Sequence, residues 1–228
     1  MTDEAFSYNK GHRDRQRDEF LQNPSGTPDY KLLEILLYNS FPRIDTKPIA
    51  KDLIRNFSGL HQVTAAPFED LLRMRGIGRN TAVFFKALHE FNSRYWVFQL
   101  KNNPIFHDPS LFVNYALNHF SNKKDEEFRV LYMDRDYRLI YEDVHSTGTV
   151  DWAAVYPRKI LHQAMNLNAS VVAMLHNHPN GNPNFSEDDI KATDETKLLL
   201  NRIGIGFYDH FLVAGGVVYS AKNLHLIN

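Results

Sequence analysis

The sequence predicts an α/β fold, in which a mixed sheet flanked by helices forms a C-terminal domain and a small all-α domain precedes it. Two observations indicate this fold. After about residue 128, apolar runs of strand length alternate with helical patterns, and strand pairs stand at both ends of this part. Before it, the patterns are helical and are separated by Pro and Gly breaks. We therefore expect a helical domain at 1–100 and a second domain at 105–228.

Composition is that of a globular protein with a buried core. Of 228 residues, 43% are hydrophobic and 23% are charged, which is ordinary for a folded chain. The lack of cysteine excludes disulfides and thiolate metal sites. No signal-like segment and no apolar run of about 20 residues is present, so we expect a cytoplasmic protein without membrane association. A net charge of −1 provides no general attraction to nucleic acid.

Five helices are predicted in the first domain. They cover residues 11–21, 30–38, 46–57, 64–73, and the segment from the turn at Gly78 to about 90. Asp29 is placed to cap the second helix, and Pro48 lies in the first turn of the third. The segment 91–104 is expected to be a linker between the domains.

A Gly-Ile-Gly turn at 76–78 is the sharpest feature of the first domain. Such a turn between helices exposes the free N–H groups of the second helix, which can hold a backbone phosphate. Arg75 and Arg79 flank the turn, where positive charge would help. The pattern resembles a helix-hairpin-helix motif, so Gly76, Gly78 and the two arginines are candidate DNA contacts. Helix packing alone would also explain the glycines, and both interpretations stay open.

The second domain is predicted to alternate between helices and strands. Helices are expected at 111–120, 155–166 and 186–203, and strands at 128–133, 137–144, 170–175, 206–214 and 217–220. The first two strands and the last two are close enough in sequence to form hairpins. This order favours a mixed sheet with helices packed on it.

One segment of the second domain concentrates chemically demanding side chains. The apolar run at 170–175 predicts a buried strand, and alternation places His176 and His178 on the same side of its end. Turn residues then reverse the chain, and Ser186 begins a helix that brings Asp189 back. Two histidines and a carboxylate suit catalytic zinc, because three protein ligands leave a fourth position for water. Non-haem iron uses the same set, and the Ser-x-x-Asp pattern also fits a simple helix cap.

This segment resembles a known family of metal-dependent hydrolases. His-x-His-Pro-x-Gly at 176–181, followed by Ser-x-x-Asp at 186–189, is similar to the JAMM (MPN+) metalloprotease motif. Residues 175–189 most resemble the version of this motif in RadC proteins. The chain has Asn180 and Phe185 where RadC proteins usually have Ser and Pro, and neither position is a metal ligand in the motif. A helix-hairpin-helix precedes the JAMM domain in RadC-like proteins, so the resemblance covers most of the chain.

The resemblance implies roles for individual residues. One Zn²⁺ per chain would have as its ligands His176, His178 and Asp189. Ser186 would help to hold the oxyanion formed at the scissile carbonyl. The general base of the JAMM pattern is a Glu at the start of a strand such as 128–133, and the motif aligns best on Glu126. Since Glu126 and Glu127 face opposite sides of an extended chain, only one of them can serve.

Further residues are expected near the site. Gly148 and Thr149 resemble the small-residue loop of RadC proteins and would line the groove. His145, His162 and His210 are interpreted as packed or surface histidines, not as ligands, although each could contact a ligand from behind.

The sequence thus predicts zinc-dependent hydrolysis of a peptide or isopeptide bond in a protein or peptide substrate, with DNA association through the helix-hairpin-helix. The alternative is a DNA-repair-associated, DNA-binding accessory protein whose metal domain is structural or binds a partner. Metal-dependent nuclease action ranks last, because that chemistry commonly uses two metal ions and the motif supplies ligands for one.

Overall fold

The computed structural model describes residues 3–105, 108–120, 123–147 and 155–227. The chain forms two compact units, Met1–Phe91 and Asn92–Asn228. Within the described part of the chain, no helix has both the length and the apolar character that a membrane span requires.

The first unit is all-helical and has an apolar core of its own. Its helices are α1 (Asp3–Gln22), α2 (Asp29–Leu37), α3 (Lys47–Phe57), α4 (Leu60–Ala65), α5 (Phe68–Leu72) and the beginning of α6 (Arg79–Asn102). Leu33, Leu53 and Phe85 are fully buried in this core. The single helix predicted at 64–73 is wrong, because the chain forms two short helices there. Pro67 separates them, since proline lacks an N–H and forces the residue before it into an extended conformation.

Helix α6 is longer than predicted. The expected linker at 91–104 is helical as far as Asn102. The sequence between Arg79 and Asn103 contains neither Gly nor Pro, and Pro104 is the first residue that opposes a helix. In the second unit, Trp96 and Leu100 of α6 belong to the apolar core, so tertiary packing also favours the continued helix.

The second unit is built on a five-stranded mixed sheet. Its elements after α6 are α7 (Pro109–Phe120), β1 (Glu127–Met133), β2 (Leu139–Thr147), α8 (Pro157–Asn166), β3 (Val171–His178), α9 (Glu187–Arg202), β4 (Gly206–Ala214) and β5 (Val217–Ser220). The strand order is β2-β1-β3-β4-β5, in which β3 and β4 are parallel and the other pairs are antiparallel. The predicted α/β fold with a preceding helical region is confirmed.

Alternation along the strands distributes side chains between two faces of this sheet. On one, called here the α8/α9 face, Phe128 of β1 packs with Ile160 of α8 and Leu200 of α9. On the other, the α7 face, Leu131 of β1 packs with Phe112 of α7. Strand β3 is buried on both faces, which explains its uninterrupted apolar sequence.

Strand β4 contains one residue more than β3 along part of their pairing. Val172 pairs with Phe207, but Met174 pairs with His210, so two residues of β4 stand where β3 has one. A bulge of this kind changes which face the following side chains occupy. It places His210 on the α8/α9 face, the same face as Phe207.

Candidate metal centre

Three side chains converge at the carboxyl end of β3. His176 Nε2 lies 3.2 Å from His178 Nε2 and 3.5 Å from Asp189 Oδ2, and His178 Nε2 lies 3.9 Å from the same Oδ2. Two ligand atoms about 2.0 Å from a tetrahedral zinc would be about 3.3 Å apart. The observed separations therefore suit three ligands of one ion, and these are the residues that the sequence predicts as ligands.

Local structure explains why the three groups meet. His176 and His178 are separated by one residue in a strand, so both side chains point to the α8/α9 face. The chain then turns back to α9, and Ser186 caps this helix. Its Oγ accepts a hydrogen bond from the Asp189 N–H at 3.1 Å, and its own N–H donates to Asp189 Oδ2 at 2.8 Å. This capping box holds the Asp189 carboxylate beside the histidines.

The protonation states of Asp189 and His178 are those that bind a metal ion. Burial raises the pKa of Asp189, but the neighbouring His176 and Ser186 side chains outweigh it and hold that pKa below its usual value. Burial lowers the pKa of His178. The His178 Nδ1 lies 2.9 Å from the Asn182 carbonyl, which can only accept, so Nδ1 carries the proton. The lone pair of His178 Nε2 is therefore free to bind a cation.

Aromatic rings enclose His176. Its side chain is fully buried, the Phe128 ring stacks on it with centroids 5.9 Å apart, and the Phe185 ring meets it edge-on at 5.6 Å. Phe185 is one of the two positions at which the chain differs from the usual RadC motif. Here its ring fills space against His176 and excludes water from that side.

Glu127 belongs to a charged cluster on the α7 face. Arg129 Nε donates to its carboxylate at 2.6 Å, Lys123 donates as well, and His119 Nε2 lies 2.9 Å away. Burial raises the pKa of Glu127, but these hydrogen bonds outweigh it and hold that pKa below its usual value. Arg129 also donates to Glu142 Oε2 at 2.9 Å. The Glu127 carboxylate is therefore held in an ion-pair network on the α7 face.

Glu126 has different surroundings. Phe128 pairs with His176 across β1 and β3, and both side chains lie on the α8/α9 face. Continued alternation puts Glu126 on this face and Glu127 on the other. Glu126 is buried, although its carboxylate is not one of the three groups that converge.

Asn177, which the sequence analysis did not assign, fixes the chain around Glu126. Its Oδ1 accepts from the Glu127 N–H at 2.9 Å, and its Nδ2 donates to the Asp125 carbonyl at 3.2 Å. Regular pairing of β1 with β3 ends at Phe128, and beyond it the Asn177 side chain provides the hydrogen bonds between the two segments. The residue between the two histidines thus holds the backbone on both sides of Glu126.

His210, which the sequence analysis interprets as a packed or surface histidine, contacts the converging side chains. His210 is fully buried, and its Nε2 lies 2.8 Å from His176 Nδ1. By contrast, His145 Nε2 accepts from the Tyr156 N–H, and His162 is exposed on α8. The remaining groove candidates, Gly148 and Thr149, lie outside the described residues.

The predicted DNA contacts surround the turn between α5 and α6. Gly76 has φ +86, a left-handed conformation that favours glycine, and Gly78 precedes the first residue of α6. Arg75 and Arg79 are exposed, and the Arg79 guanidinium lies 5.8 Å from the Phe68 ring centroid. The turn therefore has the form that the sequence predicts, whereas its role in binding DNA stays a prediction.

Comparisons with known proteins agree with this architecture. Residues 106–226 match the family described as the RadC-like JAB domain. A UPF0758 protein of Ruegeria pomeroyi is 33% identical over 217 residues, which cover 95% of this chain and 97% of the relative. A UPF0758 protein of Fusobacterium nucleatum subsp. nucleatum is 34% identical over 220 residues, which cover 93% of this chain and 95% of the relative. The similarity therefore includes both units, and the family match contains all three converging side chains.

Proposed function

Because the chain belongs to the RadC-like JAB family, we propose that it is a metal-dependent hydrolase of peptide or isopeptide bonds in proteins or peptides. The observation that carries this proposal is the convergence of His176 Nε2, His178 Nε2 and Asp189 Oδ2 within 3.9 Å of one another. Zinc is the expected ion, and when bound it would polarise a carbonyl and lower the pKa of coordinated water to about 7.

Glu126 is the proposed general base and acid. It would take a proton from the attacking water and deliver it to the leaving amine. Two features support this choice over Glu127: alternation from Phe128 places Glu126 on the face of the ligands and Glu127 on the other, and Asn177 holds the backbone on both sides of Glu126.

Ser186 is the proposed oxyanion donor. Its Oγ–H donates to Asp189 Oδ2 at 2.7 Å, while the same Oγ accepts from the Asp189 N–H. When a cation occupies Oδ2, the hydroxyl proton is free to turn toward a substrate oxygen while Oγ still caps α9. A single donor of this kind contributes about 3 kcal/mol to transition-state stabilisation.

Elemental analysis combined with a hydrolysis assay tests the proposal. Wild type, His178→Ala and the control His162→Ala would be purified without added metal or a His-tag and tested on peptides and Lys-linked isopeptide conjugates. Wild type and His162→Ala should contain about one zinc per chain and release product, because His162 is exposed on α8 and is not one of the three converging residues. His178→Ala should lose both zinc and hydrolysis. A His178→Ala protein that keeps full activity would refute the metal mechanism.

A second candidate function, DNA association, is favoured by the exposed Arg75 and Arg79 beside the turn at Gly76. Binding to duplex DNA should weaken with salt, and each lost phosphate contact should reduce the slope of log affinity against log salt by about 0.9. A variant with both Arg75→Ala and Arg79→Ala should therefore lose about 0.9 in slope for each arginine that contacts a phosphate. DNA binding that depends on these arginines, without hydrolysis of any peptide or isopeptide substrate, would favour the accessory role over the hydrolase.

A further inference from the structure

A chain of buried hydrogen bonds runs from the backbone of α9 to the ring of His176. Thr193 Oγ1 lies 2.5 Å from the Asp189 carbonyl oxygen and 2.6 Å from His210 Nδ1. His210 Nε2 in turn lies 2.8 Å from His176 Nδ1. The side chains of Thr193, His210 and His176 are fully buried, so water does not compete for these bonds.

The chemistry of the groups determines the direction of each bond. A carbonyl can only accept, so the single hydroxyl proton of Thr193 goes to the Asp189 oxygen. The hydroxyl oxygen must then accept from His210 Nδ1–H. In a neutral imidazole one nitrogen donates and the other accepts, so a His210 ring with its proton on Nδ1 has a lone pair on Nε2. His210 Nε2 therefore accepts from His176 Nδ1–H.

The consequence for His176 is a defined tautomer and a defined ring orientation. With its proton on Nδ1, the lone pair is on Nε2, the atom that faces His178 and Asp189. Metal-bound histidines usually donate their other N–H to a carboxylate, a backbone carbonyl or water. His178 follows this rule through the Asn182 carbonyl, whereas the acceptor for His176 is another imidazole.

We propose that Thr193 and His210 are positioning residues that hold His176 ready to bind the metal and so set the metal affinity of the site. This inference rests on the proposed metal centre. The same Thr193 hydroxyl also bonds to the backbone of Asp189, so it connects a ligand on β3 with a ligand on α9. Partners of this kind typically change metal affinity by about 10- to 100-fold when they are removed.

Zinc affinity, measured by competition with a chromophoric chelator, tests the proposal. Thr193→Val keeps the shape of the side chain without the hydroxyl and should weaken zinc binding by about 10- to 100-fold. Thr193→Ser keeps the hydroxyl and should bind nearly as wild type. The matched control is Thr196→Val, because Thr196 is equally buried and its Oγ1 donates to the Ala192 carbonyl at 2.7 Å, the same bond on the same helix. This control should retain the wild-type affinity.

Thermal unfolding without zinc separates positioning from a general loss of stability. Both Thr193→Val and Thr196→Val should be destabilised, the first more because the His210 Nδ1–H also loses its acceptor, whereas only Thr193→Val should lose zinc affinity. If Thr193→Val does not fold, His210→Gln, which retains a donor and an acceptor, should bind zinc more tightly than His210→Leu.

Equal zinc affinity of wild type and Thr193→Val, or of the two His210 variants, would overturn the positioning role alone. An equal loss in Thr196→Val would overturn it as well. A wild-type protein that binds no zinc would instead refute the metal centre, and this inference with it.

Discussion

Replacing Glu127 with Gln should destabilise the second unit without removing its metal ligands. The Glu127 side chain is 7% exposed and accepts hydrogen bonds from Arg129 and Lys123. Breaking a buried ion pair costs about 3–5 kcal/mol. The cost should be smaller here, about 2–4 kcal/mol, because glutamine keeps one acceptor oxygen and Arg129 keeps Glu142 as a charged partner. Lys123 should contribute least, since a third of its side chain is exposed.

The destabilisation should depend on pH. Burial raises the pKa of Glu127, but the hydrogen bonds from His119, Lys123 and Arg129 outweigh it, so the folded-state pKa lies below the unfolded value. A depressed carboxyl pKa contributes stability above the unfolded pKa of about 4.3, and this stability is lost as pH falls toward the folded pKa. The difference between wild type and Glu127→Gln should therefore be full at pH 7 and should shrink below about pH 4.

Urea unfolding followed by circular dichroism measures this difference, and Glu126→Gln is the matched comparison. Glu127→Gln should keep its zinc and its hydrolytic activity in native buffer. Glu126→Gln should keep its zinc but lose about 10²- to 10⁴-fold in hydrolysis, because it removes the proposed proton carrier. The reasoning fails if Glu127→Gln unfolds at the wild-type urea concentration. It also fails if hydrolysis is lost in Glu127→Gln and retained in Glu126→Gln.

Three further predictions concern the metal, the helix cap and the first unit. Zinc at 100 times its Kd should stabilise the second unit by about 2.7 kcal/mol, which thermal unfolding would show as a rise in Tm. A chelator or His178→Ala should abolish this rise, and an unchanged Tm in wild type would contradict the metal site. Ser186→Asp should keep the cap of α9, and so the stability, but slow hydrolysis by about 100-fold because a carboxylate cannot donate, whereas a cap-only role for Ser186 predicts full activity. Gly76→Ala should cost about 1 kcal/mol in thermal unfolding, because φ is +86 there, and more than Gly78→Ala, where an added Cβ meets nothing within 4 Å.

Short-range patterns predicted the core of the candidate site. His176 and His178 lie on one face because side chains in a strand alternate with a period of two. Ser186 and Asp189 form the capping box that their spacing indicates. Both arrangements depend only on residues a few positions apart, and so the sequence predicts them.

The partners of the ligands could not be predicted in this way. Counting by twos from Phe207 would place His210 on the α7 face, but the extra residue in β4 puts it behind His176. Asp209 stabilises this irregularity, since its carboxylate accepts from the N–H groups of His210 and Lys222. Such a bulge depends on contacts between distant segments and leaves no local signal in the sequence.

Long-range packing also extended α6 beyond its predicted end. The polar residues near Glu90 resemble a helix end, yet Leu100 is buried in the core of the second unit. Pro67 had the opposite effect and divided a helix that the apolar pattern left whole. In both cases the local hydrophobic pattern alone did not determine where the helix ends.

The two hydrogen bonds of Asn177 have a consequence for how the proposed hydrolase would choose its substrates. They tie the segment around Glu126 to the strand that carries both histidines, so the amide of Glu127 should exchange its hydrogen slowly even in the free protein. A centre preassembled in this way cannot reject a wrong substrate by failing to assemble around it, as an induced-fit enzyme does. If the protein is the proposed hydrolase, discrimination would instead occur before the scissile bond arrives, through surfaces that admit some chains and exclude others.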